Sequence, residues 1–311
     1  MNVLVSGASG FVGRNVMREL ARQGSDAIAL VRTGTANRSE IAIGDLADDA
    51  VPALPSAGAL IHLAGRPHVV NERAVDPLAT YRRVNLEGTR KLLEAARRAG
   101  VKRFVFVSTI KVLGEQTGPG HPFTQYSDPA PSDPYAMSKF EAEHEVRYFC
   151  DKHRIAWTIV RPVLVFGPGV GANFAALMNL VRFGLPLPFA SIRNARSLIY
   201  VDNLAAFLVR AAASPKLDKR VVNLADAPPL STPQLLRELA EAMGRRAALL
   251  HYPVGLLEMA GRLAGKSNAV LRLTRSLEVV VEPLFDELEW SPPVNFKDAL
   301  KETASAFLRR R

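Results

Sequence analysis

Cysteine is almost missing from this chain. Cys150 is the one cysteine in 311 residues, which excludes an internal disulfide and any thiolate metal cluster. The histidines offer no metal-ligand spacing either. Long apolar runs are also missing, because Arg, Glu or Gly interrupts the greasiest stretches, and no transmembrane helix is expected. The chain enters the apolar run Val3-Leu4-Val5 without a basic stretch and a long apolar segment, so no signal peptide is expected. Together these absences point to a reducing cytoplasm.

What is present is a large core and an excess of base. Hydrophobic residues make up 48% of the chain, and 40 Lys+Arg stand against 30 Asp+Glu for a formal charge of +10. The cations are dispersed, as in Arg82-Arg83 and Arg97-Arg98, without interleaved aromatics, so a nucleic-acid partner is not expected. A basic surface does suit a modest anionic ligand such as a nucleotide diphosphate.

The first half alternates two periods. Apolar runs at 2–5, 27–31, 59–63 and 103–107 read as buried parallel strands, with helical patterns at 11–23 and 72–99 between them. Such alternation predicts a doubly wound α/β fold. Residues 114–134 read as a loop, Tyr135 to His153 as a helix and 155–160 as a strand. After Arg161-Pro162 proline and glycine become frequent and the alternation stops. Two parts are expected, a dinucleotide-type domain over 1–165 and a smaller lobe over 166–311, with some later segments returning to the first.

The first strand runs into Gly7-Ala8-Ser9-Gly10-Phe11-Val12-Gly13 ahead of a helix. Glycines there permit a tight turn and let backbone N–H groups approach a pyrophosphate at the helix N-terminus. In PYAMSK, Tyr135 and Lys139 stand one helical turn apart. An ammonium beside a phenol favours the phenolate, so the pair predicts a tyrosine with a lowered pKa. Taken by itself the same pair also fits an ordinary helix surface.

The glycine turn, Gly44-Asp45-Leu46, His62-Leu63-Ala64-Gly65, Asn85 in VNLEGT, Ser108-Thr109 and Tyr135-x-x-x-Lys139 occur in an order and spacing that resembles the extended short-chain dehydrogenase/reductase family, the NAD(P)-dependent epimerases, dehydratases and reductases. The resemblance spans nearly the whole chain and implies a Rossmann-type doubly wound parallel sheet with a smaller C-terminal substrate lobe. It implies Tyr135 as the catalytic acid/base, Lys139 as the residue that holds the nicotinamide ribose and tunes the tyrosine, and Thr109 as the group that hydrogen-bonds the reacting oxygen. Gly7, Gly10, Phe11, Val12, Gly13, Asp45, Leu46, Leu63, Ala64, Gly65, Asn85 and Pro162 are the further cofactor-binding positions it implies. Asp45 also reads as a plain turn residue and Asn85 as support for a helix end. The second strand ends in Val31-Arg32 rather than in an acid, and a guanidinium suits a 2′-phosphate, with Arg14 as a second candidate. NADP (NADPH) is therefore expected over NAD.

Within the family the stretches STIKVLGE, RPVLVFGPGVGANF, LPLPF and RSLIYVDNL look most similar to bacterial nucleotide-sugar enzymes. That similarity implies a UDP-linked substrate, with Asn173 and Arg196 contacting its diphosphate; Lys111, two residues past Thr109 and so on the same side of an extended segment, is a candidate to face the sugar. Arg196 satisfying carbonyls at a strand start, and a structural Lys111, are the plainer readings. Dehydratases of the family carry an acid next to the catalytic Ser/Thr, where this chain has Ile110 and Lys111. The expectation is an NAD(P)H-dependent reductase of a nucleotide-linked 4-keto-6-deoxy-hexose for surface-polysaccharide building. A UDP-sugar 4-epimerase with retained NAD is the alternative, and a non-catalytic dinucleotide sensor the third. A homodimer through 78–99 and 135–153 is a further candidate.

Overall fold

The computed structural model of the protein describes residues 1–34, 39–68, 74–226 and 228–309, the side chains of 172, 173, 282 and 283 excepted. Its strands are β1 (Val3–Ser6), β2 (Ala27–Val31), β3 (Glu40–Ala42), β4 (Ala59–His62), β5 (Arg103–Val107), β6 (Ala156–Pro162), β7 (Leu164–Phe166), β8 (Leu198–Tyr200) and β9 (Arg220–Leu224). Its helices are α1 (Phe11–Arg22), α2 (Pro77–Arg82), α3 (Gly88–Arg98), α4 (Pro134–His153), α5 (Ala172–Phe183), α6 (Val201–Ala213), α7 (Thr232–Ala242), α8 (Val254–Leu263), α9 (Ser267–Thr274), α10 (Glu282–Leu288) and α11 (Phe296–Arg309).

Contacts divide the chain into two compact units, one of Met1–Glu115, Gln125–Pro162 and Asp202–Leu224, the other of Gln116–Thr124, Val163–Val201 and Ala225–Arg311. In the first, seven strands run in the order β3-β2-β1-β4-β5-β6-β9. Every neighbouring pair is parallel, as the alternation of strand and helix signals predicts. Strands β1 and β4 are buried at every position, which is why they read as continuous apolar runs rather than alternating ones. Leu4, Leu30, Leu60, Leu92, Phe104 and Ile159 build the core around them, each side chain stabilising the fold by about 1.5–3 kcal/mol. The chain leaves β1 for β2 on one side and later returns to lay β4 on the other. That reversal opens a crevice beyond the carboxyl ends of β1 and β4.

Two elements differ from the sequence expectation. The helix expected over 72–99 is found from Pro77 to Arg98, with a π turn, Arg83–Glu87, between α2 and α3; residues 72 and 73 lie outside the described ones. The three-residue β3 was not expected at all, being too short to carry a period.

Helix α4 begins where Asp133 caps it, its side chain accepting from Ala136 N, with Pro134 in the first turn; it ends at Arg154 in the left-handed conformation. Within it Glu143 is fully buried and takes Arg161 of β6 in a two-point ion pair, at 2.9 Å from Nε and 2.6 Å from a terminal nitrogen. A planar fork against a carboxylate is the geometry that makes such burial tolerable.

In the second unit β7 and β8 form a parallel pair, and Phe166 stacks on Phe174 with centroids 5.3 Å apart. Helix α7 opens with a capping box between Ser231 and Gln234. Helices α8 and α9 close on each other at Gly261, where an added Cβ would lie 2.6 Å from Val270.

Candidate active site

The turn after β1 is held by contacts that only glycine permits. Gly7 has φ +71°, and a Cβ there would stand 2.7 Å from Ala64 N. At Gly13 a Cβ would strike Gly7 O and come within 2.7 Å of Ala8 Cα. Gly13 therefore seats α1 against the turn, while Gly10 borders a groove of about 730 Å³. Helix α1 has no side-chain cap at Gly10 and no acid in its first turn, so its free N–H groups suit a pyrophosphate.

Of the expected cofactor positions, Gly7, Gly10, Arg32, Asp45, Leu46, Leu63, Ala64 and Gly65 line this groove. Phe11 and Val12 start α1 and do not, and Pro162 ends β6 in register with Leu224. Asp45 has the turn role as well: its Oδ1 accepts from Ala47 N at 2.9 Å. Arg14 donates to Ser9 O at 2.8 Å, whereas Arg32 has no ion-pair partner among the described residues. Glu40 also lines the groove. Sequence reading missed it because the carboxylate comes from β3, and only the pairing of Ala29 with Glu40 sets it beside β2.

A buried histidine organises the groove floor. Thr89 Oγ1 donates to Asn85 O at 2.6 Å, so His62 Nε2 must be the donor in its 3.0 Å contact with Thr89. Nδ1 then accepts from Ser6 Oγ at 2.7 Å, and that oxygen in turn accepts from Leu63 N and Ala64 N, both at 3.3 Å. Burial, with the charge of Lys139 added, pulls the imidazole down to about 3, so it stays neutral and the ends of β1 and β4 stay joined. Asn85 works similarly. Its Oδ1 accepts from Arg66 N at 2.8 Å and its amide donates to Ser138 Oγ at 3.0 Å, linking the π turn, the 63–66 loop and α4.

Tyr135, Lys139 and Thr109 come together around α4. Thr109, two residues beyond β5, has its hydroxyl close enough to that of Tyr135 to favour the phenolate. The Tyr135 ring lies edge-on to Tyr81 at 5.8 Å and to His68 at 6.0 Å. Burial pushes its hydroxyl up to about 12; Asp133 adds to the rise and Thr109 opposes it. The expected lowering by Lys139 is thus reversed, for a physical reason. Lys139 is itself buried beneath the site, its Nζ 4.0 Å from the centre of the Phe106 ring, and burial pulls it down to about 7 against the pull of Glu143. Burial thus disfavours the very ammonium that would stabilise a phenolate at Tyr135.

Lys111 is engaged by Asp133 and by Glu115, the latter at 2.7 Å, which is the structural reading rather than the sugar-facing one. Burial raises the Asp133 carboxyl, but Lys111 and the Ala136 N–H outweigh it and hold the group below its ordinary value. In the second unit Arg196 donates to Arg275 O at 3.1 Å, the carbonyl-satisfying role. Asn173 lies in the first turn of α5, and its side chain is outside the described residues.

Residues 3–225 match the NAD dependent epimerase/dehydratase family. A UDP-glucose 4-epimerase of Vibrio cholerae is 38% identical over 99% of this chain and 96% of its own. An Escherichia coli O157:H7 enzyme, N-acetyl-alpha-D-glucosaminyl-diphospho-ditrans,octacis-undecaprenol 4-epimerase, is 30% identical over 86% of this chain and 82% of its own. The crystal structure of Thermus thermophilus UDP-glucose 4-epimerase in complex with NAD shares the fold, with a TM-score of 0.76 at 23% identity over the full length of both chains. On the glycine turn, the Tyr135–Lys139 pair and similarity along nearly its whole length, the chain belongs to the NAD dependent epimerase/dehydratase family, among the extended short-chain dehydrogenase/reductases.

Proposed function

We propose that the protein interconverts the C4 epimers of a UDP-linked hexose with a nicotinamide dinucleotide held in the groove. The observation that carries the reading is the Thr109–Tyr135 hydroxyl pair just beyond β5, in a chain that is 38% identical end to end to a UDP-glucose 4-epimerase. The glycine cradle and the α1 N-terminus fit the pyrophosphate, and Lys139 would hold the nicotinamide ribose. The dinucleotide, when bound, supplies the hydride chemistry. Tyr135 Oη takes the proton from the C4 hydroxyl and returns it, and Thr109 Oγ1 polarises the same oxygen. A ribose hydroxyl beside Lys139 would replace the lost water and favour the ammonium, which lets it act on Tyr135 once the cofactor is seated. Asn173 is the proposed donor to the diphosphate, joined by Arg196 if its guanidinium leaves Arg275 O.

Cofactor choice turns on two side chains of the groove. Glu40 suits the ribose hydroxyls of NAD, while Arg32, free of an ion pair among the described residues, suits a 2′-phosphate. The retained cofactor of an epimerase agrees with NAD. Arg32 favours a second reading, NADPH-dependent reduction at C4 of a UDP-4-keto-6-deoxy sugar. The two separate in one assay. Given UDP-glucose or UDP-N-acetylglucosamine, the protein should form the C4 epimer with no net change in reduced-nicotinamide absorbance. Consumption of NADPH by the 4-keto sugar, without any epimer from either UDP-sugar, would establish the second reading instead.

A further inference from the structure

The second unit holds an apolar face and a charge excess that the chemistry above does not use. On α8, Leu256, Met259 and Leu263 are 41%, 52% and 84% exposed. Their spacing puts them on one side of the helix, while Gly261 on the other packs against Val270. The segment leading into α8 exposes Leu250, and its N–H donates to Leu187 O at 2.8 Å, which ties it to a stretch where Leu185 is 63% exposed.

The charge is as uneven as the greasiness. Residues 242–277 contain six Lys and Arg and a single acid, Glu258, a formal +5, while the rest of the unit carries nine Lys and Arg against ten Asp and Glu. Glu258 is itself taken by Arg275 at 3.1 Å. Arg245, Arg246, Arg262 and Lys266 are exposed and have no ion pair among the described residues. A second copy of this chain would set two such cationic surfaces against each other, and an ordinary protein groove would answer the leucines alone. Only a surface that is anionic outside and apolar beneath answers both. Among the described residues no helix is long and apolar enough to cross a membrane, so the contact is interfacial.

We propose that α8 and its cationic flanks seat the protein on an anionic lipid bilayer, with the leucines at the acyl boundary and the guanidinium and ammonium groups among the phosphates. The test is co-sedimentation of the full chain with phosphatidylglycerol/phosphatidylcholine vesicles, phosphatidylcholine vesicles serving as the neutral control. Binding should follow the anionic fraction and weaken with salt. The Leu256→Ser/Leu263→Ser protein should lose at least about tenfold in partitioning, as loss of buried apolar area at the interface requires. Arg262→Ser/Lys266→Ser should bind less and respond less to salt. Both variants change exposed side chains, and unaltered circular dichroism would show that each still folds. No sedimentation with the anionic vesicles at low salt would overturn the proposal, as would equal binding by the leucine variant. A lipid-free dimer that this variant abolishes would also overturn it and give the face to a second copy. None of these outcomes depends on turnover, so they stand apart from the epimerase reading.

Discussion

Helices α4 and α8 treat their side chains in opposite ways. The first buries an ammonium and a carboxylate, Lys139 at 5% and Glu143 at 0% exposure, in a helix of twenty residues. The second turns its leucines outward. Free energy opposes both choices, and the compensation differs. Glu143 has its partner inside the fold, in Arg161. Lys139 has only the Phe106 ring and the field of Glu143, and the exposed leucines of α8 face solvent; a dinucleotide is the proposed partner of the first and a bilayer that of the second. Departures from ordinary burial thus separate structural groups, which are satisfied within the chain, from functional ones.

That contrast can be broken at several points. The largest effect on stability should come from Glu143→Ala, which strands the Arg161 guanidinium in the core and should lower the unfolding free energy by about 3–5 kcal/mol in a denaturant titration. Leu263→Ala, by contrast, should change it by less than about 0.5 kcal/mol, since nothing covers that side chain. A core-sized loss at Leu263 would mean that α8 is packed after all.

A smaller effect should appear in the pH dependence of the protein freed of dinucleotide. Burial sets Lys139 to about 7 against an ordinary 10.5, so above pH 7 the unfolded chain binds the proton that the folded one has released. Stability should therefore rise from pH 7 towards 9, before the Cys150 thiol, ordinarily 9.0 and pushed by burial up to about 12, begins to act in the other direction. Lys139→Met should flatten that rise; equal slopes in parent and variant would show that Lys139 is not held in the way described.

The features legible in the sequence were the local ones. The glycine turn, the Tyr135–Lys139 spacing and the strand-end Thr109 are each confined to a few residues, and the apolar runs of β1, β4 and β5 name their own strands. Features created by pairing distant segments were not legible. Glu40 reaches the groove through the β2–β3 register, and His62 gains its tautomer from Ser6 and Thr89. The electrostatics of Tyr135 came out with the opposite sign, because spacing reveals that Lys139 lies a turn away but not that it is desolvated over Phe106.

The account rests most heavily on Tyr135 as the group that moves the proton at C4, and Tyr135→Phe tests this directly. Epimer formation from the UDP-sugar, measured beside dinucleotide affinity for the same protein, should fall by about 10²–10⁴ while affinity stays that of the parent. Turnover retained in Tyr135→Phe with the cofactor bound would contradict the account.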